Sequence, residues 1–472
     1  MTGIPSTQAT QVLLLSCYEL GHQPFSLAST LGFLEREGIK AAAIDLSVEK
    51  ISAHASCIET ARLVAISAPM HTALRLGTVA ARQVREVNAD AHVCFFGYYA
   101  GLNAEYLLQR SYADSTIAGE FEPALLALVL SVLRYEFNPA IPPMGIRTAE
   151  HVSAPLLQRV PFAPPRRDSL PALENYARLR SNGDLLLAGY TESSRGCKYL
   201  CNHCPVTPVY QGRFFVVPKD IVLGDVRAQV QAGARHITFG DPDFLNGPGH
   251  AQKVVSAVHA EFPELTFDFT ARIPHLLRHA GLLPEMAAAG CTFVTSAVES
   301  LSDNVLSALE KGHTRADIFS VLALMDKVGI PLRPSLLPFT PWTSLDDYLE
   351  LLAFVRENDL VDHIDPVQYS LRLLIPPGSE LLKKHTQAPW LGELDNSGFS
   401  YEWVHPDGRL EQLQKQVSDH VRMDERKGEP ARSTFAVIEA LASAIGGVVQ
   451  PRPRMVPQRR PIPAGLTESW FC

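Results

Sequence analysis

A doubly wound α/β domain, then a partial (β/α)6 barrel, then an irregular, partly helical C-terminal region is the fold class the sequence predicts. Three observations predict it. Short apolar runs alternate with helical patterns from about Val12 to Tyr135, the same alternation resumes at about Leu185, and a proline-rich stretch with little periodicity separates the two. The expected boundaries are residues 1–137 for the first domain, 138–184 for the linker, 185–382 for the barrel and 383–472 for the C-terminal region.

With 472 residues, 46% of them hydrophobic, the chain can bury the cores of two or three domains. The formal net charge of −8, with no long basic run, argues against a nucleic-acid partner. "MTGIPSTQATQ" lacks the basic and apolar regions of a secretory signal. The longest apolar run, "PALLALVLSVL" (Pro123 to Leu133), is too short to span a bilayer. The expectation is a cytoplasmic protein with no membrane partner, whose clustered thiols serve metal or redox chemistry rather than disulfides.

In the first domain "VLLLS" (Val12 to Ser16), "LVAIS" (Leu63 to Ser67) and "HVCFFG" (His92 to Gly97) read as buried parallel strands. "SLASTLGFLEREG" (Ser26 to Gly38) reads as a helix closed by glycine. In the barrel, strands are expected at "LLLAGYTES", "HITFGD", "TFDFTAR", "TFVTSAVES", "LRPSLLPF" and "VQYSLRLLI". "HAQKVVSAVHAEF" and "SLDDYLELLAFVREN" are helices between them. Beyond Lys383 one helix is expected, Arg432 to Val448, and a Pro/Arg-rich tail lies on the surface or across the barrel mouth.

Three of the eight cysteines, Cys197, Cys201 and Cys204, fall within "RGCKYLCNHCP" after the first barrel strand. In a barrel of parallel strands, that strand end is where catalytic residues gather. Three thiolates spaced C-x3-C-x2-C can hold three irons of a [4Fe–4S] cluster and leave the fourth iron open for a ligand. The alternative is a non-catalytic zinc site with His203 as fourth ligand, although no distant Cys/His pair completes a usual zinc spacing.

C-x3-C-x2-C at this place resembles the radical S-adenosylmethionine (radical SAM) superfamily, and the resemblance covers roughly Leu185 to Leu382. It implies a [4Fe–4S] cluster, SAM, and an electron donor such as flavodoxin or ferredoxin. It also implies roles for matching positions. His203 stands where an aromatic residue approaches the adenine. In "FGDPDF", Gly240, Asp241 and Pro242 match the stretch that contacts the methionine amino group, with Asp in place of Glu. Glu299 and Ser300 of "SAVES" match the ribose-binding position. "LEKGHT" and "PPGS" resemble further recurring pieces. Arg272, at the end of the third barrel strand, is a candidate contact for the SAM carboxylate or the substrate. Asp241 and Asp243 can equally be helix caps, Glu299 a solvated helix-start acid, and Arg272 a structural arginine. His313 and His363 are read as structural.

The first domain resembles the cobalamin-binding-type domain that precedes many radical SAM barrels. "AGEFEPALLALV" (Ala118 to Val129) resembles its Gly-Glu-x-Glu segment. The cobalt-ligating form has Asp-x-His-x-x-Gly after the first strand, and "SCYELGHQP" does not fit it. Relatives that hold cobalamin without a histidine keep cobalamin open here. "LTESWFC" ends on Cys472, and the layout resembles radical SAM proteins of the CUAEP/CCAEP-tail type, whose tails continue past such a cysteine. One reading of the Cys472 ending is an in-frame UGA codon read as a stop. Soft thiols suit arsenite, while an incidental terminal cysteine is the plain alternative. Part of the layout resembles the radical SAM enzyme of arsinothricin biosynthesis. That resemblance implies antibiotic biosynthesis by transfer of a 3-amino-3-carboxypropyl group from SAM to arsenite, with Cys472 as the catalytic thiol. Cobalamin-dependent methylation is the alternative, followed by an RNA-modifying enzyme.

Overall fold

A computed structural model describes residues 11–447 and 460–468. Cys472 lies outside the described residues. The first sheet contains β1 (Val12–Ser16), β2 (Ala42–Asp45), β3 (Leu63–Ser67), β4 (His92–Phe96), β5 (Ser115–Ile117) and β6 (Ile146–Arg147), in the order β2-β1-β3-β4-β5-β6. Only β6 is antiparallel. The strand order reverses between β1 and β3, the switch point where such sheets bind ligands. Alternate side chains serve opposite faces: Leu13 and Leu15 join one buried cluster, Val12 and Leu14 the other. Both faces are therefore covered, which explains the continuous apolar runs.

The proline-rich stretch packs along this domain. Leu156 bridges to Gly119, whose φ is +80° and whose missing Cβ would lie 2.3 Å from the Leu156 carbonyl oxygen. Only glycine tolerates both.

Next come β7 (Arg178–Ser181), β8 (Asp184–Thr191), the small antiparallel pair β9 (Ser194–Gly196) and β10 (Phe214–Val216), then β11 (His236–Phe239), β12 (Thr266–Thr270), β13 (Cys291–Glu299) and β14 (Leu332–Leu336). With a last strand, β17 (Gly465–Leu466), they form a curled sheet ordered β14-β13-β12-β11-β8-β7-β17. Its core run, β8 and β11 to β14, is parallel. Helices such as Pro248–Glu261 and Leu345–Glu357 cover the outside, the latter opened by a capping box of Ser344 and Asp347.

The sixth barrel position is reduced. "VQYSLRLLI" forms a 3-10 turn, Pro366–Ser370, and one parallel bridge between Phe339 and Arg372. Pro366 has no N–H for a ladder, and the Gln368 side-chain oxygen accepts from Leu336 N at 2.9 Å where a strand carbonyl would otherwise stand.

The C-terminal region is more regular than its sequence suggests. A hairpin of β15 (Leu391–Asp395) and β16 (Ser400–Trp403) precedes a 20-residue helix, Gly408–Lys427, then the helix Ala431–Gly446. Leu410, Leu413, Val417 and Val421 form the buried stripe that ties the long helix to the barrel core. Residues 460–468 then run along the sheet edge. β17 pairs antiparallel with β7, the Ala464 carbonyl accepts from Arg333 of β14 at 3.4 Å, and Glu468 accepts from the Tyr18 hydroxyl at 2.6 Å. The tail thereby links the two edges of the curled sheet and reaches the loop after β1.

A buried arginine is among the contacts through which the two domains meet. Arg195, on β9, lies 2.7 Å from Glu122, 3.6 Å from Glu120 and 3.2 Å from Glu192, and donates to Ser29 Oγ at 2.9 Å. The rings of Phe25, Phe121 and Phe162 surround its guanidinium at 5.2–6.0 Å. Removing one side of a buried ion cluster leaves uncompensated charge. Arg195→Met is expected to destabilise the fold by about 3–5 kcal/mol, read as a lower urea midpoint in tryptophan fluorescence. Arg195→Lys should recover only part of it, since a single ammonium cannot reproduce the guanidinium fork.

Candidate active site

The strand ends that carry the sequence-predicted residues lie on one rim of the barrel. The cysteine loop leaves β8 and β9, the 240–246 turn leaves β11, Arg272 follows β12, and Glu299 ends β13. The first domain approaches the same loop: its helix Tyr98–Leu102 packs on Val206–Tyr210, with Tyr98 and Tyr210 ring centroids 5.7 Å apart, and Cys197 and Cys204 pack against this apolar patch.

The 241–246 segment braces the cysteine loop at successive points. Asp241, 2% exposed, accepts from Ser193 N at 2.9 Å and from the hydroxyls of Ser193 and Ser194 at 2.8 and 2.5 Å. Both carboxylate oxygens thus accept from the loop's entry, and Asp241 braces it. Asn246 Oδ1 accepts from Lys198 N at 3.3 Å and lies 3.9 Å from Cys197 Sγ, while its carbonyl accepts from Lys198 Nζ at 2.8 Å. Gly240 is required on steric grounds, because a Cβ would lie 1.8 Å from Tyr190 Oη. Pro242 then turns the chain into the short 3-10 segment that Asp243 caps. From the other side Asn202 donates to the Ala308 carbonyl at 3.0 Å, and Ser379 of "PPGS" donates to the Asn202 carbonyl at 3.1 Å.

The three thiols are free and held on one short loop. Burial pushes the Cys197 thiol up, and burial with the neighbouring Cys201 and Cys197 pushes Cys204 up to about 12. Deprotonated sulfur in this apolar setting needs a cationic partner. His203 does not complete a four-ligand site with them: its Nε2 lies 3.5 Å from Glu299 Oε1 and its Nδ1 is buried without a partner. Among the described residues no three His, Cys, Asp or Glu side chains converge to hold a single metal ion. The donor set fits three corners of an iron–sulfur cluster better than a structural zinc.

Glu299 is held in a left-handed conformation, φ +62°, where the β13–β14 register shifts. Its Oε1 accepts from Lys311 Nζ at 2.9 Å. Burial works to raise this carboxyl, but Lys311 and His203 hold it well below the usual carboxylate range. It is a buried, paired acid, not a solvated helix-start acid. Ser300, 4% exposed, accepts from Ser302 N at 3.1 Å, which ties it to the turn after β13. Lys311 belongs to "LEKGHT" and had no assigned role in the sequence. Arg272, 6% exposed, stacks over the Tyr199 ring at 3.6 Å and donates from Nη2 to the Lys311 carbonyl. Its Nε and Nη1 have no partner, so two buried donors remain free at the strand ends. His363 is structural, with Nδ1 2.9 Å from the Leu332 carbonyl oxygen.

On the interdomain side His22 is buried against Tyr190, ring centroids 4.6 Å apart, and burial lowers its pKa to about 4. Glu192 is raised to about 8 by burial despite Arg195, with Asp241 and Glu19 adding to the rise. Glu19 itself rises to about 7, chiefly by burial. The sequence signalled none of these acids as a group, because they come together only when the two domains meet.

The segment that carries the site matches a known family: residues 191–355 match the family model of the radical SAM superfamily. A [4Fe–4S] cluster and SAM are the cofactors this match implies, and the thiol loop fits the cluster.

Solved structures share the overall fold. The chain matches the cobalamin-dependent SAM radical enzyme OxsB, bound to aqua-cobalamin and SAM, with a TM-score of 0.67 and 16% identity, over 87% of this chain and 66% of that one. It matches the radical SAM methyltransferase TsrM of Kitasatospora setae with a TM-score of 0.65 and 16% identity, over 86% and 88%. Among curated relatives, the ribosomal protein uS12 methylthiotransferase RimO of Parabacteroides distasonis is 25% identical over 36% of this chain and 41% of its own length. The tRNA-2-methylthio-N(6)-dimethylallyladenosine synthase of Chlorobium phaeobacteroides is 29% identical over 43% and 47%. The chain thus spans less than half the length of either of these two.

Asp241→Asn turns a donor toward three donors at the loop's entry, at a cost of about 1–3 kcal/mol. Lower iron and sulfide per chain after anaerobic reconstitution, with unchanged circular dichroism, is the expected result. The raised carboxyls give a second expectation. A group whose folded pKa exceeds its unfolded value stabilises most below the unfolded pKa and loses that contribution as pH rises through the folded one. For Glu192 that window runs from about 4.5 to about 8. Glu192→Gln should flatten the fall in melting temperature across it, measured by thermal unfolding in a pH series.

Proposed function

We propose that this chain transfers a SAM-derived group to a small molecule held between the doubly wound domain and the barrel. One observation carries the reading: the switch-point face of the first sheet is turned to the cysteine loop and fixed there by Arg195, so a ligand between the domains adjoins the thiols. When bound, the cluster supplies the electron that cleaves a C–S bond of SAM. The protein's share is orientation and exclusion of water. Cys197, Cys201 and Cys204 hold the cluster, Arg272 receives a carboxylate with its two free N–H groups, and His203 with Glu299 borders the nucleoside side. Ser300 fixes the turn beside Glu299. An external reductant of the flavodoxin or ferredoxin kind delivers the electron.

Two identities of the group stand. The overall likeness to OxsB and TsrM favours cobalamin-dependent methylation. The residues after β1 do not fit a histidine-ligated corrin, since His22 is buried against Tyr190, so this route would need cobalamin held without that ligand. The same misfit, with the terminal thiol of Cys472 in the sequence, favours 3-amino-3-carboxypropyl transfer to arsenite.

Anaerobically reconstituted protein is to be incubated with dithionite and SAM, with and without arsenite or cobalamin, and its products resolved by mass spectrometry. 5′-Methylthioadenosine with an arsenite-dependent product is the outcome for aminocarboxypropyl transfer. 5′-Deoxyadenosine and S-adenosylhomocysteine that increase with cobalamin are the outcome for methylation. Bound zinc with neither nucleoside overturns both.

A further inference from the structure

Arg272 stands at the end of a chain of side-chain contacts. Asp243, fully buried at the cap of the segment after β11, places Oδ2 2.7 Å from Nδ1 of His275, a short charge contact and not an aligned hydrogen bond. The other ring nitrogen of His275, Nε2, lies 3.1 Å from the hydroxyl of Tyr199. Tyr199 sits in the cysteine loop between Cys197 and Cys201, and its ring carries the Arg272 guanidinium 3.6 Å from its centroid. The carboxylate favours the tautomer with the proton on Nδ1, which leaves Nε2 to accept from the phenol. Nη2 is tied to the Lys311 carbonyl and the guanidinium lies over the ring, so it is held by two contacts, while Nε and Nη1 have no partner.

We propose that Asp243, His275 and Tyr199 form a positioning relay that orients Arg272 for the carboxylate of bound SAM. The relay rests on the reading of Arg272 as the carboxylate receiver. His275 lies on the helix Ile273–Arg278 and Tyr199 in the cysteine loop, so the relay also ties that loop to the helix after β12. Lys in place of Arg272 would lose the planar face that the phenol ring supports, and Gln would lose the charge.

The test is the affinity of anaerobically reconstituted holoprotein for SAM and for decarboxylated SAM, measured by equilibrium dialysis alongside iron content. Tyr199→Phe keeps the ring and deletes only the hydroxyl. It is expected to weaken SAM about fivefold and to leave decarboxylated SAM unchanged, with iron content intact. His275→Phe should reproduce this selectivity. Arg272→Gln should weaken SAM about tenfold or more and again spare the decarboxylated ligand. If Arg272→Gln weakens neither ligand, the carboxylate reading itself falls. If Arg272→Gln acts selectively and Tyr199→Phe does not, the reading stands and the relay is overturned. Equal weakening of both ligands by Tyr199→Phe, or loss of iron, shows a merely structural contact and also overturns the relay.

Discussion

The site depends on a guanidinium buried between two domains. Arg195 stands two residues before the first cysteine, and its side chain points away from the thiols into the first domain. Glu120 and Glu122 answer it from the segment after β5, and Glu192 from the end of β8. Three carboxyls around one cation leave an excess of negative potential, which the protein meets by protonation: burial raises Glu120 to about 7, against the pull of Arg195. Tyr210 donates to Glu120 at 2.6 Å and stands in for a second cation. A lysine would offer a point charge here. The arginine fork satisfies Glu122 and Ser29 together and still presents a flat face to three phenylalanine rings.

Because the loop's entry is fixed by the first domain, the barrel has only to hold its remainder. It does so from three strand-end segments: 241–246 beneath Ser193 to Lys198, 308–311 beside Asn202 and the thiols, and Ser379 behind Asn202. Such bracing lets buried sulfur atoms be brought close without a collapse of the loop. The strained φ of Glu299 belongs to the same economy of placement. The register shift in β13 turns its carboxylate inward to Lys311, where a regular strand would send it to the next position along the rim.

Much of this was legible in the sequence. The thiol spacing, the parallel strands of both sheets and their flanking helices follow from local pattern, because each is specified by residues close in the chain. Helix Gly408–Lys427 was not legible: its four buried aliphatics are separated by charged residues, so its apolar stripe is thin. β2, "AAID", was hidden by alanines that carry little strand signal. "VQYSLRLLI" had the composition of a strand, but Pro366 and the Gln368 side chain broke its ladder. In the site, the position of Asp241 was legible and its hydrogen bonds were not, since Ser193 and Ser194 reach the carboxylate only once β8 and β11 are paired. Lys311, Asn246 and the ring of acids about Arg195 are properties of the assembled molecule, and no spacing rule reaches them.

The pairing of β17 with β7, together with the contact of Glu468 with Tyr18 across 450 positions of sequence, has a consequence for how the protein folds. The first sheet and the parallel strands can form from segments close in the chain, but the edge of β7 stays uncovered until Gly465 and Leu466 reach it. Contacts this distant in sequence are the slowest to form. Until they do, the free edge of β7 can pair with a strand of another chain, so this seam is the place where folding competes with association.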